Sequence, residues 1–153
     1  MNPRQYWIGV VSKNHVSLGV EGGFTQLNHG KAGPLERMHP GDGFAFYSPR
    51  TSHPDGAPLQ AFTAIGRIAD GEIIQARLDP DFHPFRRPVE YLPAHDAPIK
   101  PLIDDLTFIR NKQHWGAVFR FGFLRVPEED FARIAAAMGR DFGADFASRD
   151  VST

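Results

Sequence analysis

The sequence contains no cysteine. That excludes disulfides, thiol nucleophiles and cysteine-ligated zinc or iron–sulfur centres. No window approaches the ~18 apolar residues of a membrane helix. The polar start Met1-Asn2-Pro3-Arg4-Gln5-Tyr6 has no long apolar run behind it, so no signal peptide is expected there. A cytoplasmic location is the expectation. There is no internal repeat and no low-complexity tract. Gly and Pro together make about 18% of the chain, short of the ~25–30% that marks disorder. There is also no excess of one charge: 17 Lys and Arg face 18 Asp and Glu. A domain that grips long duplex nucleic acid is usually strongly basic, and this one is not. The charge is unevenly placed, however. Residues 127–153 carry 3 basic and 6 acidic side chains, which leaves residues 1–126 with a small positive excess.

What is present fits one domain. A chain of 153 residues buries roughly 70% of its unfolded surface and needs no metal or crosslink to hold it. Tyr6-Trp7-Ile8-Gly9-Val10-Val11 is nearly continuous in apolar character, as a strand buried on both faces would be. Ser12 is placed to cap a helical turn through Val16, Leu18 and Val20. The stretch from Gly19 to Gly43 is irregular and rich in glycine; loops of that length are usually functional. Within it, Pro34–Met38 predicts a short helical turn. Further strands are expected at Gly43–Tyr47, closed by Pro49, and at Phe62–Ile68. The Asp70-Gly71 turn should return Glu72–Leu78 as the partner of the latter. Phe85–Leu92 reads as a strand with Pro88 at an edge or bulge, and Pro101–Leu106 as a short helix. Phe119–Val126 reads as a last strand with Phe119, Phe121 and Phe123 on one face. Pro127 opens the clearest helix, with Phe131, Ile134, Ala135 and Met138 as its buried stripe and Gly139 as its stop. Residues 140–153 are polar and expected to fray. Short strands, Gly/Pro connections and few helices predict a mainly β, α+β fold: a small mixed barrel with peripheral helices.

The chemistry-bearing motifs narrow the function by elimination. Gly23 to Gly30-Lys31 invites comparison with a Walker A loop. It has six residues between the glycines instead of four, and Ala32 where the magnesium hydroxyl belongs. A looser anion contact by Lys31 survives that test. The seven histidines at 15, 29, 39, 53, 83, 95 and 114 never pair at i+2, i+3 or i+4, so no local metal motif exists. No Gly-x-Ser-x-Gly elbow is present. Asp104 and Asp105 are sequence neighbours and read as solvated. No cofactor and no metal is implied. Phe85-Arg86-Arg87 sets two guanidinium groups beside an aromatic ring, and arginine serves both phosphate contact and base stacking. Alternation along a strand sends Arg86 and Arg87 to opposite faces, so only one of them would reach a given pocket. Trp115 reads either as a core plug or as a stacking platform.

Together these segments resemble the EVE domain family of the PUA-like superfamily. The matching pieces run in order through nearly the whole chain. They are Tyr6-Trp7-Ile8, Ser12-Lys13-Asn14-His15-Val16, Gly22-Gly23-Phe24-Thr25-Gln26, Gly41-Asp42, Tyr47-Ser48-Pro49, Phe62-Thr63-Ala64-Ile65-Gly66, Pro84-Phe85-Arg86-Arg87-Pro88, Trp115-Gly116 and Asp130-Phe131. The specific part is the run His29-Gly30-Lys31-Ala32-Gly33-Pro34-Leu35-Glu36-Arg37-Met38. The resemblance implies a PUA-like pseudo-barrel with a pocket between its strands. It also implies kinship with YTH readers of methylated adenine and with thymocyte nuclear protein. By position, the cage aromatics of such readers fall near Phe24 and Phe85, with Ser12 to Asn14 supplying polar contacts. This sequence has phenylalanine where those readers use tryptophan.

The candidate ligand-binding residues are therefore Ser12, Lys13, Asn14, Phe24, Gln26, His29, Lys31, Tyr47, Ser48, Phe85, Arg86 and Arg87. The first functional expectation is a non-enzymatic module that takes a modified nucleobase of RNA or DNA, single-stranded or flipped, into an aromatic pocket. Lys31, Arg37, Arg86 or Arg87 would meet neighbouring phosphates. A second is an enzyme acting on a nucleoside or nucleic acid, with Lys31, His29 and Asp42 as acid–base groups. A third is a small-ligand sensor or protein-interaction domain using the same pocket.

Overall fold

The computed structural model describes residues 3–27 and 30–146. Its frame is a curled mixed sheet. In chain order the elements are β1 (Tyr6–Val10), α1 (Lys13–Gly22), β2 (Phe24–Thr25), α2 (Gly33–Arg37), β3 (Gly43–Arg50), β4 (Pro58–Ile68), β5 (Ile74–Gln75), β6 (Phe85–Tyr91) and β7 (Ala97–Pro98). The 3₁₀ helices Lys100–Asp105 and Trp115–Phe121 follow, then β8 (Phe123–Val126), α3 (Glu128–Ala137) and α4 (Phe142–Asp145). The strands run in the order β2-β6-β4-β3-β1-β8, with β5 added to β6 and β7 to β4. Among the described residues only β1 and β3 pair in parallel, from Tyr6 opposite Gly43 to Val10 opposite Tyr47; the other pairs are antiparallel. This is the mainly β pseudo-barrel that the sequence predicts.

The parallel pair explains the long irregular stretch. Two parallel neighbours need a crossover of a dozen or more residues. Residues 11–42 are that crossover; they carry α1 and α2 and add β2 to the sheet beside β6. Strand alternation then feeds two cores. Tyr6 and Ile8 of β1 and Ala45 and Tyr47 of β3 enter one, with Phe62, Ile65, Phe131 and Met138. Trp7, Phe44 and Phe46 enter the other, with Val16, Leu27, Leu35 and Phe123. Two buried carboxylates lock loops to this frame. Asp42 accepts from Trp7 Nε1 at 2.9 Å and from the backbone N–H groups of Gln5 and His39. Asp130 accepts from both the N–H and the hydroxyl of Thr107 and from the N–H of Phe108. Among the described residues no helix is long and apolar enough to cross a membrane.

Four expectations are corrected. Residues 72–78 do not return along β4. Only Ile74 and Gln75 are extended, and they pair with β6, because β6 already holds that edge of β4 from Gly66 to Ile68. Pro49 does not close β3. The strand runs on to Arg50 through a register shift, where the missing N–H of proline costs no ladder bond. Phe119–Val126 is not one strand. A 3₁₀ helix ends at Gly122, whose φ of 75° breaks the alternation, so Phe119, Phe121 and Phe123 have three different surroundings. Residues 140–146 do not fray. Phe146 is 3% exposed and sits edge-on to Phe131, Phe142 packs on Tyr6, and Arg140 pairs with Asp145. Residues 147–153 of the expected frayed tail lie outside the described residues. The α3 stripe Phe131, Ile134, Ala135 and Met138 is fully buried, as its spacing predicts.

Candidate functional site

The crossover ends α1 with two glycines, Gly22 and Gly23. Gly23 is left-handed at φ 71° and returns its N–H to Gly19 O. A Cβ on Gly22 would fall 2.4 Å from the Phe24 ring. Together they release Phe24 into β2, directly opposite Pro88 of β6. Tyr91 of β6 fixes it there: its hydroxyl donates to Phe24 O at 2.8 Å. Burial pushes the Tyr91 phenol well above its ordinary value, so it stays a donor.

Next to Pro88 the alternation of β6 divides the two arginines as expected. Arg87 turns inward, is buried, and donates to Leu35 O at 3.3 Å. Burial holds its guanidinium below the ordinary value, with nearby Asp42 opposing that effect. Arg86 turns outward. Its guanidinium carbon lies 4.1 Å from the Phe24 ring centroid, and its Nε donates to Gln26 Oε1 at 3.0 Å. Phe24, Gln26 and Arg86 thus form one preset plate, an aromatic face carrying a planar cation.

The plate lines a cleft of about 760 Å³, within the ~300–1,000 Å³ typical of small-ligand sites. Its floor includes Val10, Val11, Ser12, Gly19, Phe46 and Phe119. Its rim carries His15, Lys31, Arg50, His53 and Arg120, and the exposed apolar side chains Leu18, Leu78, Phe82 and Phe121. Among the described residues four Lys and Arg side chains line it and no Asp or Glu does. In a protein of net charge −1 that is a strong local bias toward an anionic ligand with flat apolar parts.

Of the residues singled out in the sequence, Ser12, Phe24, Gln26, Lys31 and Arg86 come together here. The others lie elsewhere. Lys13 pairs with Asp96 and borders a separate depression of about 330 Å³. Asn14 is spent on the turn into α1, accepting from Ser12 Oγ and His15 N. Tyr47 is buried against Phe119 at 4.0 Å, and its burial raises its hydroxyl to about 12. Ser48 is buried on Thr63 at 2.7 Å. Phe85 packs against the second core beside β6 and does not line the cleft. Arg37 lies over Trp7, away from the cleft. His29 lies outside the described residues. Asp42 is occupied by its three hydrogen bonds and does not line the cleft. Sequence reasoning missed Arg50, Arg120 and Phe121. The signal for Phe121 was Gly122, which breaks the strand that had claimed the ring. Among the described residues no cluster of metal-ligating side chains occurs.

Comparison with known proteins agrees with this architecture. The chain is 53% identical over 132 residues to a UPF0310 protein of Mycolicibacterium vanbaalenii, covering 86% of this chain and 91% of that one. It is 49% identical over 136 residues to the UPF0310 protein msl3206 of Mesorhizobium japonicum, covering 88% and 91%. It is 44% identical over 134 residues to the UPF0310 protein YdcG of Bacillus subtilis, covering 88% and 92%. The sequence pattern of the EVE domain matches residues 5–137, and the chain belongs to this PUA-like family, which is associated with nucleic-acid binding in general.

Proposed function

We propose that the protein is a binding module that takes a nucleobase of RNA or DNA, a modified one by the resemblance to methyl-base readers, into the cleft against Phe24. The observation that carries this reading is the Phe24–Arg86 plate in a cleft that, among the described residues, is lined by cations and no carboxylate. A base has a flat π-face for the plate and a phosphate for the cations, and base–aromatic stacking contributes ~1–3 kcal/mol. Gln26 Oε1 orients the Arg86 Nε, which leaves the terminal nitrogens of that guanidinium for the ligand. The base would be single-stranded or flipped, because a paired base offers no open face. Of the acid–base groups considered in the sequence, Lys31 lines the cleft, whereas Asp42 does not and is committed to the frame.

The test is capture of cellular RNA and DNA fragments on the immobilised protein, followed by nucleoside mass spectrometry. Enrichment of one nucleoside over the input, lost in Phe24→Ala, supports the reading. An eluate with the input's composition, or enrichment unchanged in Phe24→Ala, overturns it.

A further inference from the structure

Phe121 is the most exposed large apolar side chain among the described residues, at 77%. It makes no ring or cation contact with any of them. Its backbone is nevertheless firmly set. Gly122 closes the 3₁₀ helix with a left-handed turn, and Gly122 O accepts from Val10 N at 2.9 Å. An aromatic ring standing in water on a fixed backbone contributes nothing to the core. It stands at the mouth of the cleft that Phe24 lines, next in sequence to Arg120, which lines the same cleft. Arg120 and Lys31 make no ion pair or side-chain hydrogen bond with any described residue. The mouth therefore offers a second open stacking face with two cations that have no partner among the described residues.

We infer that the ligand is a short single-stranded stretch of nucleic acid, with one base at Phe24 and a neighbouring base of the same strand stacked on Phe121. Its phosphates meet Arg120 and Lys31. This rests on the base-binding reading of the cleft and extends it to a second subsite. A free nucleoside leaves Phe121 and both cations unused. A duplex hides the face of every internal base, so only an unpaired strand can cover both rings. The volume of about 760 Å³ exceeds what one planar base fills.

The experiment measures binding of short single strands, the matching duplexes and the matching nucleoside monophosphates. Each set carries an unmodified or methylated central base in random flanks. The proteins are wild type, Phe24→Ala and Phe121→Ala. Phe121→Ala should weaken single strands by about 5- to 150-fold, the range of one lost aromatic stack. It should leave monophosphate affinity and the melting temperature unchanged, because the ring is exposed. Single-strand affinity unchanged in Phe121→Ala, or duplexes bound as tightly as single strands, overturns the second subsite even where Phe24→Ala abolishes binding. If wild type binds none of the probes, both the subsite and the base-binding reading fall.

Discussion

Arg86 is held on two sides at once: its guanidinium carbon lies 4.1 Å from the Phe24 centroid, and its Nε is bonded to Gln26. A cation over a ring contributes ~0.5–1 kcal/mol when exposed and ~2 when desolvated. A double-mutant cycle of Phe24→Ala with Arg86→Ala should therefore show a stability coupling of ~0.5–2 kcal/mol. Phe24 is only half-buried, so its single replacement should cost less than the ~3–5 kcal/mol of a core phenylalanine. Additive single effects in denaturant titrations would mean that the two side chains do not form a unit. A core-sized loss with intact binding would move the site away from Phe24.

Phe146 anchors the end of the described chain in the first core, 5.1 Å from the Phe131 centroid and 5.5 Å from that of Phe142. Phe146→Ala should cost ~3–5 kcal/mol. In a domain of this size each kcal/mol lowers the thermal midpoint by ~2–4 °C. Truncation at Arg140 should cost at least as much, since it also removes Phe142 and the Asp145 carbonyl that accepts from Arg67 at 2.6 Å. A truncated protein that melts with the wild type would show that this segment is not docked.

The chain has three tyrosines, and the fold raises all of them. Tyr6 stands at about 12 through burial and then its hydrogen bond to Glu128. Tyr47 stands at about 12 through burial, and Tyr91 is raised further by burial. A raised phenol favours the neutral form in the folded state. Its stabilising contribution is whole below the ordinary value of 10.0 and is lost as pH climbs from there toward about 12. Melting temperature should hold up to about pH 10 and then fall. Phenolate absorbance should rise together with unfolding. A native, folded protein with a tyrosine titrating at the ordinary value would contradict this.

The frame was legible where one period acted alone. The α3 stripe at 131, 134, 135 and 138 and the two-faced β1 and β3 follow directly from the residues. The pattern misled where backbone geometry, invisible in hydrophobicity, decided the outcome. Phe119, Phe121 and Phe123 keep perfect strand spacing, yet the positive φ of Gly122 sends them to the first core, to solvent and to the second core. The chain bends at Asp70-Gly71, but partner choice is a tertiary matter, and β6 holds that edge of β4. The acidic tail looked polar because two phenylalanines within fourteen residues form no stripe. Of the cleft lining, Ser12, Phe24, Gln26, Lys31 and Arg86 were legible as candidates in the sequence. Phe85 was not separable from Arg86 without knowing which face of β6 turned outward.

Salt dependence separates a pocket from a track. For a single strand, log K falls with log salt by ~0.7 per phosphate neutralised. Lys31, Arg50, Arg86 and Arg120 line the cleft, but they are not equally available. Arg86 lies flat on Phe24, and Arg50 donates to Gly56 O at 3.0 Å. Two to four phosphate contacts remain in reach, so the total slope should be ~1–3. Arg120→Ala should lower that slope by ~0.7 and weaken all sequences alike, because a phosphate contact carries no base information. Among the described residues the cleft bears no carboxylate, so no repulsion from its lining offsets these gains. A slope near ~6 would require cations well beyond the cleft. It would make the ligand a long strand tracked across the surface, with the Phe24 plate only one point along its path.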